Sequence, residues 1–316
     1  MEREVLLLKN KSFARGFLFF SLLLAALFSI ALASCNFGLP IFLYAETGVE
    51  DRARSVKVLG GNDLPQIPSG TKYSFIVLTD PHFGEKKYDR REDDFLKKFK
   101  ELLQNSDEGL KPRFIVNIGD TLDGGHEDEA DDYNKAAARW IQTAKDELGA
   151  SDYKVYTILG NHDLYNNGWE VWKKKIYPYT SYYKFTINAG GASNGGFDFY
   201  FLDSGNGTLG GPQIEDLERN LSASSRPKII FMHYPLYAGG IFYFALDDVH
   251  ERARLIADFA ESNVKYVFEG HKHQQHDYDF NNFKETVIGA YLQERFFGLV
   301  TVDEAAASVQ FTRMSY

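Results

Sequence analysis

Three short polar motifs, each set directly behind a β-prone apolar run, constrain this chain more than any other feature. Asp80-Pro81-His82 follows the run at 73–79, Gly119-Asp120 follows 113–118, and Gly160-Asn161-His162-Asp163 follows 154–159. Short uninterrupted apolar runs of this kind read as buried strands. Between them lie helix-like stretches at 93–103, with Phe95, Phe99, Leu102 and Leu103 on one face, and at 133–148. Asp80, Asp120 and Asn161 therefore recur about every forty residues, each after a strand and with a helix between. Successive βαβ units produce such spacing and line the three groups along one sheet edge. The carboxyl ends of strands are where open α/β sheets carry their chemistry.

Downstream the pattern becomes richer in strands. A short helix at 169–176 precedes strands at 182–187 and 197–202 and a helix at 212–221. The next strand, 228–232, ends in His233-Tyr234-Pro235, and a helix at 248–262 leads to a strand at 265–268 and to Gly270-His271-Lys272-His273. Shorter strands are expected at 286–288, 297–302 and 308–314. Five of the eight histidines thus stand at strand ends. Taken singly, each is more simply a turn or surface residue, because Asp-Pro and Asn-His-Asp are ordinary turn material. Jointly, chance explains them poorly. In extended backbone, residues i and i+2 point the same way. Asp80 and His82 are therefore expected to grip one ion together, and His271 and His273 to face one side. The acidic stretch 127–132 reads as a solvated helix N-terminus that favours the helix dipole, with His126 on the same surface. His250 and His276 remain unassigned.

The N-terminal stretch stands apart. Lys9, Lys11 and Arg15 precede a continuous apolar run at 16–33, followed by Ser34-Cys35. This is the basic region, apolar region and small-residue site of an export signal. Ala31-Leu32-Ala33 suits ordinary signal peptidase, while Leu32-Ala33-Ser34-Cys35 resembles the bacterial lipoprotein signal, in which the cysteine is lipidated. Cys35 is the sole cysteine, so no disulfide explains it, and lipidation at Cys35 is the favoured reading. An uncleaved single-pass anchor is the alternative, since the run is just long enough to span a bilayer. The expected division is a signal at 1–34, a tether at 35–71 with one short strand at 55–59, and a folded domain at 72–316. The expected location is the cell envelope, lipid-anchored, with secretion or a single-pass anchor as alternatives.

The ordered set Asp80-Pro-His82, Gly119-Asp120-Thr-Leu-Asp123, Gly160-Asn161-His162-Asp163, His233 and Gly270-His271-Lys-His273 resembles the calcineurin-like metallophosphoesterase superfamily, from about residue 74 to the end. The resemblance implies a four-layer α/β/β/α sandwich with a two-metal site at the strand carboxyl ends. It implies hydrolysis of phosphate mono- or diesters by a metal-bridging hydroxide, helped by a histidine acid. Asp80, His82 and His273 would hold the first metal, Asn161, His233 and His271 the second, and Asp120 would bridge them. His162 would protonate the leaving group, with Asp123 as its carboxylate partner. Mixed imidazole and carboxylate ligation suits Zn, Mn or Fe. Two such ions about 3.5–4 Å apart clamp a phosphoryl group and acidify water.

Departures from relatives narrow the branch. Purple acid phosphatases would carry tyrosine at position 123, and protein serine/threonine phosphatases an arginine at position 124, where this chain has Asp123 and Gly124. Only 43 residues follow His273, too few for the large C-terminal domain of periplasmic 5′-nucleotidases. A compact bacterial phosphodiesterase or phosphatase acting on a small phosphorylated substrate is expected. Nuclease action on the same centre is disfavoured by the net charge of −9 and the lack of a basic tract with interleaved aromatics. A non-catalytic surface lipoprotein on this fold is a further alternative, because fold alone does not fix function. Retired sites lose ligands or the acid, and this chain keeps every motif. Tyr165, Trp169, Trp172, Tyr234, Tyr237 and the run at 241–244 either stack on substrate or pack the core.

Overall fold

The computed structural model describes residues 47–85 and 91–316. The export-type run, Cys35 and the first part of the expected tether lie outside the described residues. The described chain opens with a one-turn helix α1 (Val49–Arg52) and a short strand β1 (Lys57–Val58). Next come β2 (Lys72–Leu78), α2 (Arg91–Leu103), β3 (Pro112–Asn117), α3 (Glu127–Leu148), β4 (Lys154–Thr157) and α4 (Gly168–Lys175). The second half runs β5 (Tyr183–Ile187), β6 (Phe197–Phe201), α5 (Gly211–Ser222), β7 (Lys228–Phe231), α6 (Val249–Glu261) and β8 (Val264–Glu269). It closes with β9 (His276–Asp279), β10 (Lys284–Val287), α7 (Tyr291–Glu294), β11 (Phe296–Asp303) and β12 (Ser308–Ser315).

Two sheets result, in the orders β12-β11-β2-β3-β4 and β1-β5-β6-β7-β8-β10-β9. β2, β3 and β4 run parallel, as do β6, β7, β8 and β10. The period-2 alternation of a strand explains how both faces are used. In β2, Ile76 and Leu78 meet Phe95, Phe99, Trp140 and Trp172 of the helices, while Phe75 and Val77 face the other sheet. Burial on both sides is why the run carries no polar alternation. Between the sheets lies a largely aromatic core that includes Phe114, Tyr156, Phe185, Phe199, Phe201, Phe231 and Phe268. On the far side, Leu217, Leu221, Leu255 and Phe259 of α5 and α6 cover Ile230, Met232 and Val267. This is the four-layer α/β/β/α sandwich.

The helices carry their own punctuation. Glu92, Asp93 and Asp94 fill the first turn of α2, where carboxylates favour the dipole. α3 includes the whole acidic stretch as its N-terminal turns and stops at Gly149, whose φ of 62° is the left-handed cap.

The segment read as a tether carries the short strand expected at 55–59, as β1, but is otherwise more than a tether. From residue 47 onward it packs on the sandwich. Val49 and Ala53 are buried beside α5, β1 pairs in parallel with β5, and Leu59 enters the inter-sheet core. Its apolar residues are sparse and separated by glycine and proline, so no periodicity announces them. β9 was not anticipated either, because His-Asp-Tyr-Asp is a polar edge strand held by backbone pairing to β10.

Phe201 stacks on its sheet neighbours Tyr183 at 4.3 Å and Phe231 at 4.7 Å and meets Tyr156 of the other sheet at 5.9 Å, wholly buried between the sheets. Phe201→Ala should cost about 3–5 kcal/mol in chemical denaturation. A loss below about 1 kcal/mol would show that this aromatic layer is not what holds the sheets together.

Candidate metal centre

At each strand end the chain turns abruptly. Asp80, His82, Asp120, His271 and His273 have φ of 50°, 46°, 46°, 66° and 62°. The expectation that paired residues face one way from extended backbone therefore fails, since these residues occupy the left-handed region. The pairing of Asp80 with His82 survives, by turn geometry instead. His271 and His273 point to different groups.

The turns are bonded to one another. Asp80 N–H donates to Gly119 O at 3.0 Å and His82 N–H to Asp120 O at 3.0 Å, which zips the first two loops together. Asp120 Oδ1 accepts His162 N–H at 2.9 Å, joining the third. His233 Nδ1–H donates to Ile118 O at 2.8 Å, and His271 N–H to Asp80 Oδ2 at 3.1 Å, joining the loops of the other sheet. Such approaches leave no room for side chains. A Cβ on Gly160 would lie 2.2 Å from Asp120 Oδ1, and one on Gly270 2.1 Å from Thr79 Oγ1.

Asp80, His82, Asp120 and His273 converge in one group, and Asp120, His233 and His271 in a second that shares Asp120. His273 Nε2 lies 3.3 Å from Asp80 Oδ1 and 3.2 Å from His82 Nε2. His233 Nε2 lies 3.3 Å from Asp120 Oδ2. The other ring nitrogens are engaged: His233 Nδ1 by Ile118 O, and His273 Nδ1 by Gln293 Oε1 at 2.6 Å. A carbonyl only accepts, so His233 carries its proton on Nδ1 and presents Nε2 to the centre. Asp80 Oδ1, Asn161 Oδ1 and His233 Nε2 are buried without a hydrogen-bond partner. Buried polar atoms are normally paired, and donors left open on a shared centre fit metal ions. Asn161 Nδ2 donates to Tyr165 Oη at 3.1 Å, and its carbonyl oxygen accepts no hydrogen bond.

These residues fit the family that the motifs resemble, and residues 73–275 match the sequence profile of the calcineurin-like phosphoesterases. The chain belongs to this family. A Fibrobacter succinogenes protein named a probable cyclic nucleotide phosphodiesterase is 26% identical over 203 residues, covering 63% of this phosphoesterase and 72% of that protein. A dimetal phosphatase from Danio rerio superposes with a TM-score of 0.51 at 14% identity, over 77% of this chain and 99% of that one. A purple acid phosphatase from yellow lupin seeds gives 0.54 at 15% identity, over 79% and 53%. The protein described as the anchor in the inner membrane complex of Plasmodium gives 0.56 at 15% identity, over 78% and 85%. At such identities the superpositions speak for the fold.

A further group joins His82, His162 and Asp123. The Asp123 carboxylate lies 3.3 Å from His82 Nδ1 and 3.8 Å from His162 Nδ1, so it sits nearer the ligand-type histidine than its expected partner. The hydrogen bond to His162 comes from the Asp123 backbone, with Nδ1–H donating to its carbonyl oxygen at 2.7 Å. Asp163 had no expected role. Buried, its carboxylate accepts N–H bonds from Thr121, Leu122 and Gly160 at 3.2, 2.8 and 2.8 Å and ties the second loop to the third. Ser204 Oγ likewise accepts from His233 N–H and Tyr234 N–H, both at 3.0 Å. Asp163 stood in the motif, whereas nothing around Ser204 or Gln293 in the sequence marks them.

Electrostatics follow from burying this many charges together. Burial opposes the His233 cation, yet the Asp120 carboxylate prevails and raises it to about 9. His273 is likewise raised to about 9 against burial, by Asp80. Asp120 is held well below its ordinary value despite burial, chiefly by His233. His271, desolvated and beside His233, is pushed down to about 4. The metal-free site thus stores protons on imidazoles that must be neutral to bind metal. A raised histidine stabilises the metal-free fold below its ordinary value of about 6.5, and that stabilisation fades as pH climbs through 9. Metal binding runs the opposite way, expelling the protons more easily at higher pH. The rise in melting temperature on adding Mn or Zn should therefore grow between pH 6 and pH 9. A shift that is flat or shrinks over that range would show that His233 and His273 are not protonated in the metal-free protein.

Proposed function

We propose that this phosphoesterase hydrolyses small phosphodiesters or phosphomonoesters at a two-metal site, with His162 as the acid that protonates the departing oxygen. The convergence of Asp80, His82, Asp120 and His273 in one group and of Asp120, His233 and His271 in another, with His162 bonded to Asp120 and the Asn161 carbonyl oxygen buried without a partner in the adjoining turn, carries this reading. Metals of the Mn, Fe or Zn kind would neutralise phosphoryl charge there and acidify a water. The chain's own part is positional. Asp123 O fixes the His162 Nδ1 proton, so Nε2 is the nitrogen left to serve the leaving group. The His162 ring is wedged edge-on against His82 at 4.5 Å and tilted on Tyr165 at 4.7 Å, which restricts its rotation. When the P–O ester bond breaks, its electron pair stays on the leaving oxygen, and His162 supplies the proton that neutralises it. Asp123 is read as serving both histidines: its carbonyl holds the His162 ring, and its carboxylate, 3.3 Å from His82 Nδ1, favours the charged form of His82 against burial.

Several aromatics border the second group. Tyr234 stacks on His271 at 3.9 Å, Phe244 lies edge-on to His271 at 6.1 Å, and Tyr243 beyond it is exposed. Such a border suits a substrate with a flat or apolar ester group, and a cyclic nucleotide is the first to try, given the name of the Fibrobacter relative. A non-catalytic role is disfavoured, because the ligand-type residues remain assembled and the acid remains in reach.

The His162 assignment is tested by leaving-group dependence. Alkyl alkoxides need protonation, whereas nitrophenolate departs with little help. His162→Ala should retain both metals and lose roughly 10²–10⁴ in rate on alkyl esters, with a clearly smaller loss on nitrophenyl esters. Equal losses on both, with metals retained, would make His162 a substrate-positioning group. Loss of a metal would make it a ligand.

We further propose export to the cell envelope with lipid on Cys35, supported by the basic and apolar run before Leu32-Ala33-Ser34-Cys35. No helix among the described residues is long and apolar enough to cross a membrane. Cys35→Ala should abolish incorporation of labelled lipid. A mature N-terminus at Ser34 in the unaltered protein would instead assign ordinary signal peptidase.

A further inference from the structure

The loop that follows β6, residues 203–207, contributes no candidate ligand, yet it lies between two loops that do. Ser204 Oγ accepts the backbone N–H groups of His233 and Tyr234 at 3.0 Å each. On the other side, a Cβ on Gly205 would lie 3.1 Å from Gly160 O and 3.1 Å from Leu164 Cδ1, so this loop packs directly on the turn that carries Asn161. Two of the three residues assigned to the second metal are thus propped by one loop.

That loop is pinned from outside the catalytic motifs. Arg52 Nε and Nη2 donate to the two Asp203 carboxylate oxygens at 3.0 and 2.9 Å, and Nη2 also donates to Asn206 Oδ1 at 2.8 Å. Neither the Arg52 nor the Asp203 side chain reaches solvent. Arg52 Nη1 donates to Thr47 O, and the guanidinium lies 5.8 Å from the Trp169 ring centre. Gln213 bonds both the N–H and the carbonyl of Asp203, at 2.9 and 2.7 Å, which fixes the loop's first residue from α5. A two-pronged bond from a planar guanidinium sets orientation as well as distance, which an ammonium cannot do. A buried carboxylate that loses its cation must protonate or swing out to water. Either response removes the side-chain restraint on the 203–206 turn, from which Ser204 holds the His233 backbone.

We propose that Arg52 is a positioning residue for the second metal, acting through Asp203 and Ser204, and that the N-terminal strap therefore governs occupancy of that site. The inference rests on the two-metal reading given above. Outer groups that orient ligands typically change metal affinity by about ten- to a hundredfold. The strap also joins the body to the export-type N-terminus, so a cut between Thr47 and β1 would be felt at His233 without touching a ligand.

The test uses the full mature chain, stripped of metal and titrated with Zn or Mn, with both steps resolved by calorimetry and by bound-metal analysis. Arg52→Gln should leave the first step nearly unchanged and weaken the second about ten- to a hundredfold. Arg52→Lys keeps the charge but not the fork, and should weaken the second step by a smaller factor while remaining folded by circular dichroism, which covers the case of a poorly folding Arg52→Gln. His233→Ala provides the reference for loss of the second step alone. If both steps weaken together, or if neither changes while the melting temperature falls, Arg52 is only a structural contact and the proposal fails. If the unaltered protein itself binds fewer than two ions, it is the two-metal reading that fails.

Discussion

The site depends on keeping the Asp120 carboxylate charged while it is fully enclosed. A lone buried carboxylate would protonate, because removing it from water costs several kcal/mol. Here it is surrounded. Oδ1 accepts the His162 N–H at 2.9 Å, and Oδ2 faces His233 Nε2 at 3.3 Å and His82 Nε2 at 3.8 Å. Those contacts come from loops after β4, β7 and β2, so one charge draws three strand ends together. Asp120 also belongs to both ligand groups, which makes it the element the two halves share. In the metal-free protein the imidazoles supply the compensating charge, and metal ions would take over that task.

Ordering these loops requires backbone that most residues avoid. Each non-glycine residue held in the left-handed region costs about 1–3 kcal/mol, and five of the seven ligand-type residues sit there. The strain persists because the loops bond to one another rather than to water. Thr79 Oγ1 caps Asp80 Oδ2 at 2.7 Å, Asp163 collects three N–H groups, and Gly270 N–H donates to His233 O at 3.0 Å. Each bond fixes a turn that the sequence alone would leave free. The result is a set of donors held in place by the loops' own bonds.

This also separates what could be read from the chain. Buried parallel strands reveal themselves through unbroken apolar runs, and a polar cluster directly behind such a run can only lie at the strand's end. The gathering of Asp80, Asp120 and Asn161 along one sheet edge follows from that, whereas the four-layer order and the full ligand set came from the resemblance of the motifs to the family. Turn geometry does not, because left-handed Asp and His look the same in sequence as extended ones, and the extended reading of Asp80-Pro81-His82 was the casualty. The Asp123 carboxylate fell nearer His82 for the same reason: a turn decides which of two histidines a side chain meets. Apart from its short strand, the packing of the strap at 47–59 was hidden because Val49, Arg52, Ala53 and Leu59 are spaced without period and act through partners far along the chain, such as Asp203. Long-range ion pairs leave no local trace.

The ligand-type residues come from both sheets. Asp80, His82, Asp120 and Asn161 follow strands of the five-stranded sheet, while His233, His271 and His273 follow strands of the other. Their separation is therefore set by how far apart the sheets sit, and that distance is set by side-chain packing rather than by the backbone of either sheet. The layer between them is dominated by flat rings, with Tyr156 of one sheet against Phe185 of the other at 4.7 Å and Phe75 against Phe199 at 5.8 Å. Rings packed at crystal-like density give little under load, so the seam behaves as a rigid spacer. The His233 Nδ1 bond to Ile118 O then closes the seam at the site itself. An ion pair held across that seam would bind the folded form and not the unfolded chain, so metal and aromatic layer stabilise the same contact from opposite ends. Any change that lets the sheets slide should register first as altered metal spacing, before the fold gives way, because donor geometry tolerates less displacement than hydrophobic burial does.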